Sequence, residues 1–215
     1  MSQRFPDRET AGRALAERLA SMHFVQPPVV LALPRGGVPI GAEVARRLKA
    51  PLDLLMVRKI GVPGQQELAL AAVVDGEQAD VVIDEMLADY APRWKDYIEQ
   101  QKAIALREIE RRRRVYLADR APVHVKGCTA IVVDDGIATG TTVRAALRAL
   151  RRREPARLVL AVPVAPRDIV ARLSGEVDDL VCLDQPEPFQ AVGLHYRDFH
   201  AVDDDEVLAS LRSVP

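Results

Sequence analysis

One segment constrains the fold of this chain more than any other. Ala130-Ile131-Val132-Val133 is apolar without a break and runs straight into Asp134-Asp135-Gly136-Ile137-Ala138-Thr139-Gly140-Thr141-Thr142. A strand that is apolar on both alternating faces belongs in a parallel sheet covered by helices on both sides. Such sheets place their ligands at the carboxyl ends of the strands, where this run turns from apolar to acidic. A helix is expected over 141–153, after the small-residue loop. The same grammar occurs earlier in the chain. Residues 29–33 are a short apolar run, and Pro34-Arg35-Gly36-Gly37 breaks it. Ile40, Val44 and Leu48 then fall at helical spacing, and Pro51 opens a second run over 52–57. Strand, turn, helix, strand is the βαβ signature of a parallel sheet.

The remaining segments fit around that frame. Asp7 or Thr10 caps a first helix reaching about Met22. Residues 58–72, with Gly61, Pro63, Gly64 and several polar groups, read as a mobile loop. Short strands over 71–74 and 81–83 are joined by a turn at Asp75-Gly76. Asp84 caps a helical stretch and Pro92 starts it afresh. Trp94, Ile98, Ala105, Ile109 and Tyr116 share one face of a long helix. Arg111, Arg112, Arg113 and Arg114 lie near its C-terminal end. They fan around the helix and suit its dipole, either as a solvated end or as a phosphate or nucleic-acid site. Strands over 158–164 and 180–183, a short helix over 167–173 and a terminal helix over 206–211 follow. Without repeats or low-complexity linkers, the reading is one domain over 1–215, with a helical insertion at about 84–118 and a hood or tail at about 184–215.

Composition narrows the function. A net charge of −1 over 215 residues removes a whole-chain basic footprint for nucleic acid. Hydrophobic residues at 48% and charged residues at 28% describe a globular chain rather than a disordered one. Cys128 and Cys182 lack the closely spaced partners of a zinc site and read as buried thiols in a reducing compartment. The charged N-terminal stretch has no apolar signal region, and no run approaches the roughly 20 apolar residues of a membrane span. The expectation is a cytoplasmic protein with no membrane and no nucleic-acid partner.

The chemistry concentrates in 131–142. Adjacent carboxylates, Asp134 and Asp135, suit two neighbouring hydroxyls such as a ribose diol; they also suit direct magnesium binding. The loop Ala138-Thr139-Gly140-Thr141-Thr142 opens a helix whose free N–H groups and dipole suit a phosphate, and the threonine hydroxyls add donors. The lysine of a Walker A loop and the glycine pattern of a dinucleotide fingerprint are both missing. Arg35-Gly36-Gly37 is a turn with a forked cation, read either as a surface turn or as an anion loop. Arg58-Lys59 ends the second run and reads as a solvated pair or as anion ligands.

These residues resemble the signature of type I phosphoribosyltransferases that binds 5-phosphoribosyl 1-pyrophosphate (PRPP): apolar residues, two acids, then a T-G-T-T-like loop. Gly136 departs from it, since a branched apolar residue is commoner there. The layout, including Phe189-Gln190-Ala191-Val192-Gly193-Leu194-His195-Tyr196-Arg197-Asp198-Phe199, looks like a bacterial group of stand-alone phosphoribosyltransferase-domain proteins. The resemblance implies an α/β fold with a mainly parallel sheet flanked by helices and a small hood. It implies transfer of a phosphoribosyl group from PRPP to a nitrogenous acceptor, with Mg2+, in a protein that forms a homodimer. On that reading Asp134 and Asp135 hold the ribose hydroxyls, 138–142 the 5-phosphate, and Arg35, Gly36, Gly37, Arg58 and Lys59 the pyrophosphate. Residues 60–70 match the flexible catalytic loop, with Glu67 as its candidate acid or a solvated carboxylate. Phe189, Val192, Tyr196 and Phe199 stack on an acceptor base or pack the tail onto the core. His195 and His200 read as structural. Ala138 replaces the aspartate usual in 6-oxopurine enzymes, which points away from hypoxanthine and guanine. The alternatives are a PRPP- or nucleotide-binding regulator without chemistry, and hydrolysis or phosphorolysis of a phosphorylated ribose compound.

Overall fold

The apolar runs read from the sequence pair side by side in a computed structural model. It describes residues 4–75, 80–83, 87–89, 91–118, 120 and 122–214; the side chains of 66–69 and 80 lie outside that description, as do Gly76 and Asp84. Five strands form one parallel sheet: β1 (Pro28–Ala32), β2 (Leu52–Leu54), β6 (Thr129–Val133), β7 (Arg157–Val164) and β8 (Asp179–Asp184), in spatial order β2-β1-β6-β7-β8. The chain steps outward from β1 to β2, then returns to the other side of β1 for β6, β7 and β8. Strand order therefore reverses between β1 and β6, and a doubly wound sheet opens its ligand crevice at that point.

Alternation sorts the side chains into two cores. Val30, Ala32, Ile131, Val133, Val159 and Ala161 face a layer containing α1 (Arg8–Ala20), α2 (Gly37–Leu48) and α6 (Asp204–Arg212). Val29, Leu31, Ala130, Val132, Leu158 and Leu160 face α4 (Thr141–Arg151) and α5 (Arg167–Leu173). Asp7, not Thr10, caps α1, accepting from Thr10 N at 2.7 Å. The long helix is α3 (Lys95–Leu117), with Ile98, Ala105, Ile109 and Tyr116 buried along it. Its arginines do fan apart: Arg113 pairs with Asp75 at 2.5 Å, while Arg114 pairs with Glu110. Among the described residues no helix is long and apolar enough to cross a membrane. Cys128 and Cys182 are half-buried rather than buried, and burial pushes the Cys182 thiol up to about 11.

The segment read as a mobile loop is instead a hairpin. β3 (Val57–Val62) pairs antiparallel with β4 (Gln65–Val74), and β4 with β5 (Asp80–Ile83), in a separate three-stranded sheet. Pro63 and Gly64 make its two-residue turn, with Gly64 at φ 81°, a conformation that favours glycine. The sheet wedges between α3 and α4. Ile60, Ala71 and Val73 pack on the side of α3, Ala72, Val74 and Val82 on the side of α4. That cover from both sides stabilises a strand pair whose polar residues suggested a loop.

Candidate active site

Two loops meet at the topological switch. Leu33 N donates to Val133 O at 2.9 Å, stitching the end of β1 to the end of β6. Beyond β1 the chain passes through a cis Pro34-Arg35 peptide into α2. Beyond β6 it passes through Asp134-Asp135 into α4. The glycines explain how close the loops come. A Cβ on Gly37 would lie 2.7 Å from Val133 O, and one on Gly36 only 2.0 Å from Asp135 Oδ2. A side chain at Gly36 would require the Asp135 carboxylate to move, and one at Gly37 would press on the backbone of Val133 and Asp134. Asp135 thus lies against the Arg35-Gly36-Gly37 turn, and the acidic strand end and the glycine loop share one opening.

The electrostatics of the two aspartates are costly. Asp134 Oδ1 accepts from the Asp135 backbone N–H at 2.9 Å. Burial, then the neighbouring charge of Asp135, raises the Asp134 carboxyl well above the ordinary range. Burial also raises Asp135, and Arg8 opposes that rise. Arg8 Nε donates to Asp135 Oδ2 at 2.9 Å, while Arg8 Nη1 donates to His200 O at 2.8 Å. The guanidinium lies over the Phe199 ring, 3.9 Å from its centroid, and the residue is only 8% exposed. Arg8 is the residue that sequence reasoning missed. It sits 127 positions from its partner in a helix whose other charges are mostly solvated; no local pattern marks it.

The small-residue loop 138–142 opens α4, as the sequence predicts. Gly140 is the N-cap of α4 at φ 77° and makes no side-chain cap, so the first-turn N–H groups lack that partner. Ala138 and Thr139 are exposed; Thr141 and Thr142 are half-buried. Gly136 has a steric reason to be glycine. A Cβ there would meet Val192 Cγ1 at 2.5 Å and Val164 Cγ1 at 2.9 Å. The tail therefore reaches this loop through Val192.

Other expected site residues lie elsewhere or differently. Arg58 and Lys59 stand inside β3 rather than at the end of a parallel strand, opposite Val73 and Ala72. Successive strand residues point to opposite faces; Arg58 turns toward Glu108 of α3 at 3.7 Å, on the face away from α4. Glu67 belongs to β4, and its side chain lies outside the described residues. Tyr196 is not a free stacking surface. It is 3% exposed, packed between Phe5 and Phe199, and its hydroxyl donates to Asp135 O at 2.6 Å. Burial is what raises its phenol above the ordinary range. Phe189 stacks on His195, centroids 5.1 Å apart. The hood aromatics therefore prop the site from behind. Phe5 joins them through a bridge to Tyr196.

The sequence profile of the phosphoribosyl transferase domain matches residues 5–197. This chain belongs to that family. Proteins from two strains of Mycobacterium tuberculosis, provisionally named phosphoribosyl transferases, are 47% identical over 210 residues, covering 96% of this chain and 46% of their own length. The chain thus spans about half the length of the curated relatives it matches. The crystal structure of TT1426 from Thermus thermophilus is 40% identical, covers 99% of both chains and superposes with a TM-score of 0.83. A Neisseria gonorrhoeae protein crystallised with ppGpp shares the fold at TM-score 0.50, with 15% identity over 99% of this chain and 98% of that one. The fold is that of the type I phosphoribosyltransferases, a mainly parallel sheet flanked by helices.

Proposed function

We propose that this phosphoribosyltransferase-family chain uses PRPP, transferring its 5-phosphoribosyl group to a nitrogenous acceptor and releasing pyrophosphate. One observation carries the reading: Asp135 packs on Gly36 across the β1/β6 crevice. Around that contact stand an acidic strand end, an anion-ready helix start and a glycine turn. Asp134 and Asp135 accept the two ribose hydroxyls. The N–H groups of 138–142 and the hydroxyls of Thr139, Thr141 and Thr142 hold the 5-phosphate. The turn at Arg35, Gly36 and Gly37 meets the pyrophosphate, with Arg58 reaching in from the hairpin, while Lys59 lies on the opposite face of β3. The C1–O bond to pyrophosphate breaks as the acceptor nitrogen bonds C1, through an oxocarbenium-like transition state. The protein orients the two reactants and neutralises the leaving group. Glu67 is the candidate acid of the hairpin. Ala138 offers no carboxylate to an acceptor, which favours one other than a 6-oxopurine.

The donor set suits magnesium. Among the described residues no cluster of three or more His, Cys, Asp or Glu forms a cage, and Mg2+ commonly takes one or two carboxylates, filling its shell with water and substrate oxygens. Asp134 and Asp135 would hold it together with oxygens of PRPP, and it supplies positive charge beside the leaving group.

The test is direct. With magnesium present, millimolar PRPP raises the thermal midpoint; saturation at a hundred times Kd adds about 2.7 kcal/mol. An unchanged midpoint would sink the reading. A screen of bases for pyrophosphate release then identifies the acceptor, and Asp134→Asn with Asp135→Asn abolishes release. PRPP binding with no turnover on any base would replace the transferase with a PRPP-binding regulator.

A further inference from the structure

The β2-side rim of the crevice carries more positive charge than the residues assigned to it so far. Glu108, Arg112 and Tyr116 follow one another at four-residue spacing along a single face of α3. Three guanidiniums converge on Glu108. Arg112 Nε donates to it at 2.9 Å, Arg111 donates twice, at 2.9 and 3.0 Å, and Arg58 Nη1 lies 3.7 Å away. Two turns on, the Tyr116 hydroxyl donates to Asp204 Oδ1 at 2.6 Å, and Arg35 Nη1 stands 3.6 Å from the same oxygen. Arg112 is therefore one helical turn from the Arg58 contact and one turn from the Arg35 contact. Arg111 also senses the charge of Asp204. Among the described residues, Arg35, Arg58, Arg111 and Arg112 pair with two carboxylates, Glu108 and Asp204, so the rim has positive charge in excess.

These pairs are made to exchange. Arg112 is 33% exposed, Arg58 39% and Arg35 44%, and exposed ion pairs are weak. A diphosphate brings more charge and more acceptor oxygens than either carboxylate, and forked guanidiniums match phosphate oxygens in pairs. We propose that Arg112, assisted by Arg111, is a further diphosphate-binding residue, gripping the pyrophosphate end of PRPP between Arg35 and Arg58. This assignment rests on the transferase reading of the crevice. Glu108 and Asp204 hold the guanidiniums spread until the ligand arrives.

The experiment titrates inorganic pyrophosphate, with magnesium, into wild type, Arg112→Ala, Arg112→Gln and Arg112→Lys by calorimetry. Ribose 5-phosphate serves as a second probe, and steady-state kinetics on PRPP follow. Arg112→Ala and Arg112→Gln weaken pyrophosphate about tenfold and raise KM for PRPP by a similar factor, as expected for one lost charge-assisted contact. Arg112→Lys recovers part of the loss. Affinity for ribose 5-phosphate and the thermal midpoint stay at wild-type values, which a merely structural arginine would not give. Arg114→Ala, whose side chain pairs with Glu110, leaves all readouts unchanged. Wild-type pyrophosphate affinity in both Arg112→Ala and Arg112→Gln would overturn the proposal, and so would failure of the wild type to bind pyrophosphate. Tenfold weakening in a protein that turns over PRPP with no base would keep the grip and remove the transferase reading.

Discussion

The two banks of the crevice are built from different physics. On the β6 bank, a backbone hydrogen bond joins the strand ends, glycines permit contacts no side chain could, and a buried arginine holds a half-buried carboxylate. On the opposite bank, partly exposed Arg35, Arg58 and Arg112 pair with half-buried Glu108 and exposed Asp204. The first bank has one arrangement and costs stability to maintain. The second is held by partly exposed ion pairs, which are weak. On the proposed transferase reading, the difference suits a site that places a sugar accurately and releases a polyanionic product.

The comparison breaks most sharply at Gly36. Gly36→Ala puts a methyl where the Asp135 carboxylate now lies, so we expect PRPP affinity to fall by about a hundredfold or more (~2.7 kcal/mol). Calorimetry checks this; a change under fivefold would mean that the contact is slack. Arg8→Met comes next. It leaves Asp135 buried without its cation, and breaking such a pair commonly costs about 3–5 kcal/mol. Because Asp135 keeps some solvent contact, roughly 2–3 kcal/mol of stability is expected to be lost in denaturant melts. A loss as small as that of an exposed pair, about 0–1 kcal/mol, would place this bank on the same footing as the other.

Asp134→Asn should move the other way. A carboxyl whose folded pKa lies above its unfolded value binds its proton more tightly when folded, so its ionisation weakens the fold as pH rises through that range. At neutral pH the amide should raise the thermal midpoint by about 2–4 °C, for roughly 1 kcal/mol, while PRPP binding is lost. The smallest effect belongs to His200, exposed between Asp198 and Glu206 at 2.9 and 2.7 Å. Hydrogen bonds to Glu206 and Asp198 raise its pKa. Its stabilising contribution is thus full below the ordinary histidine value of about 6.5 and fades as pH climbs through the raised one. The difference in midpoint between wild type and His200→Gln should shrink by a degree or so from pH 6 to pH 8.5, within the range of exposed pairs.

What the sequence disclosed follows the same division. The parallel strands and the helix starts were legible because burial on both faces and small-residue loops leave local marks. The Pro63-Gly64 turn was also written there, but the strands beside it are stabilised by α3 and α4, which no local window contains. Gly136 stood out as a departure, and only Val192 and Val164 explain it. Arg8 was illegible, because its partners Asp135 and His200 come from distant parts of the chain. Tyr196 was noticed for its aromatic ring, whereas its working contact is the hydroxyl on the Asp135 carbonyl.

The span between Arg8 and His200, 192 positions apart in sequence, sets an order of assembly. During synthesis the ribosome delivers Arg8 long before the carbonyl of His200. Strand β6 and its aspartates emerge in between, before the His200 carbonyl that Arg8 also binds. The crevice is therefore completed only after the last strand of the parallel sheet, β8, has emerged. A ribosome stalled before the tail clears the exit tunnel would hold a chain with a sheet but no finished site, and nascent-chain binding of PRPP would report the moment the clasp closes.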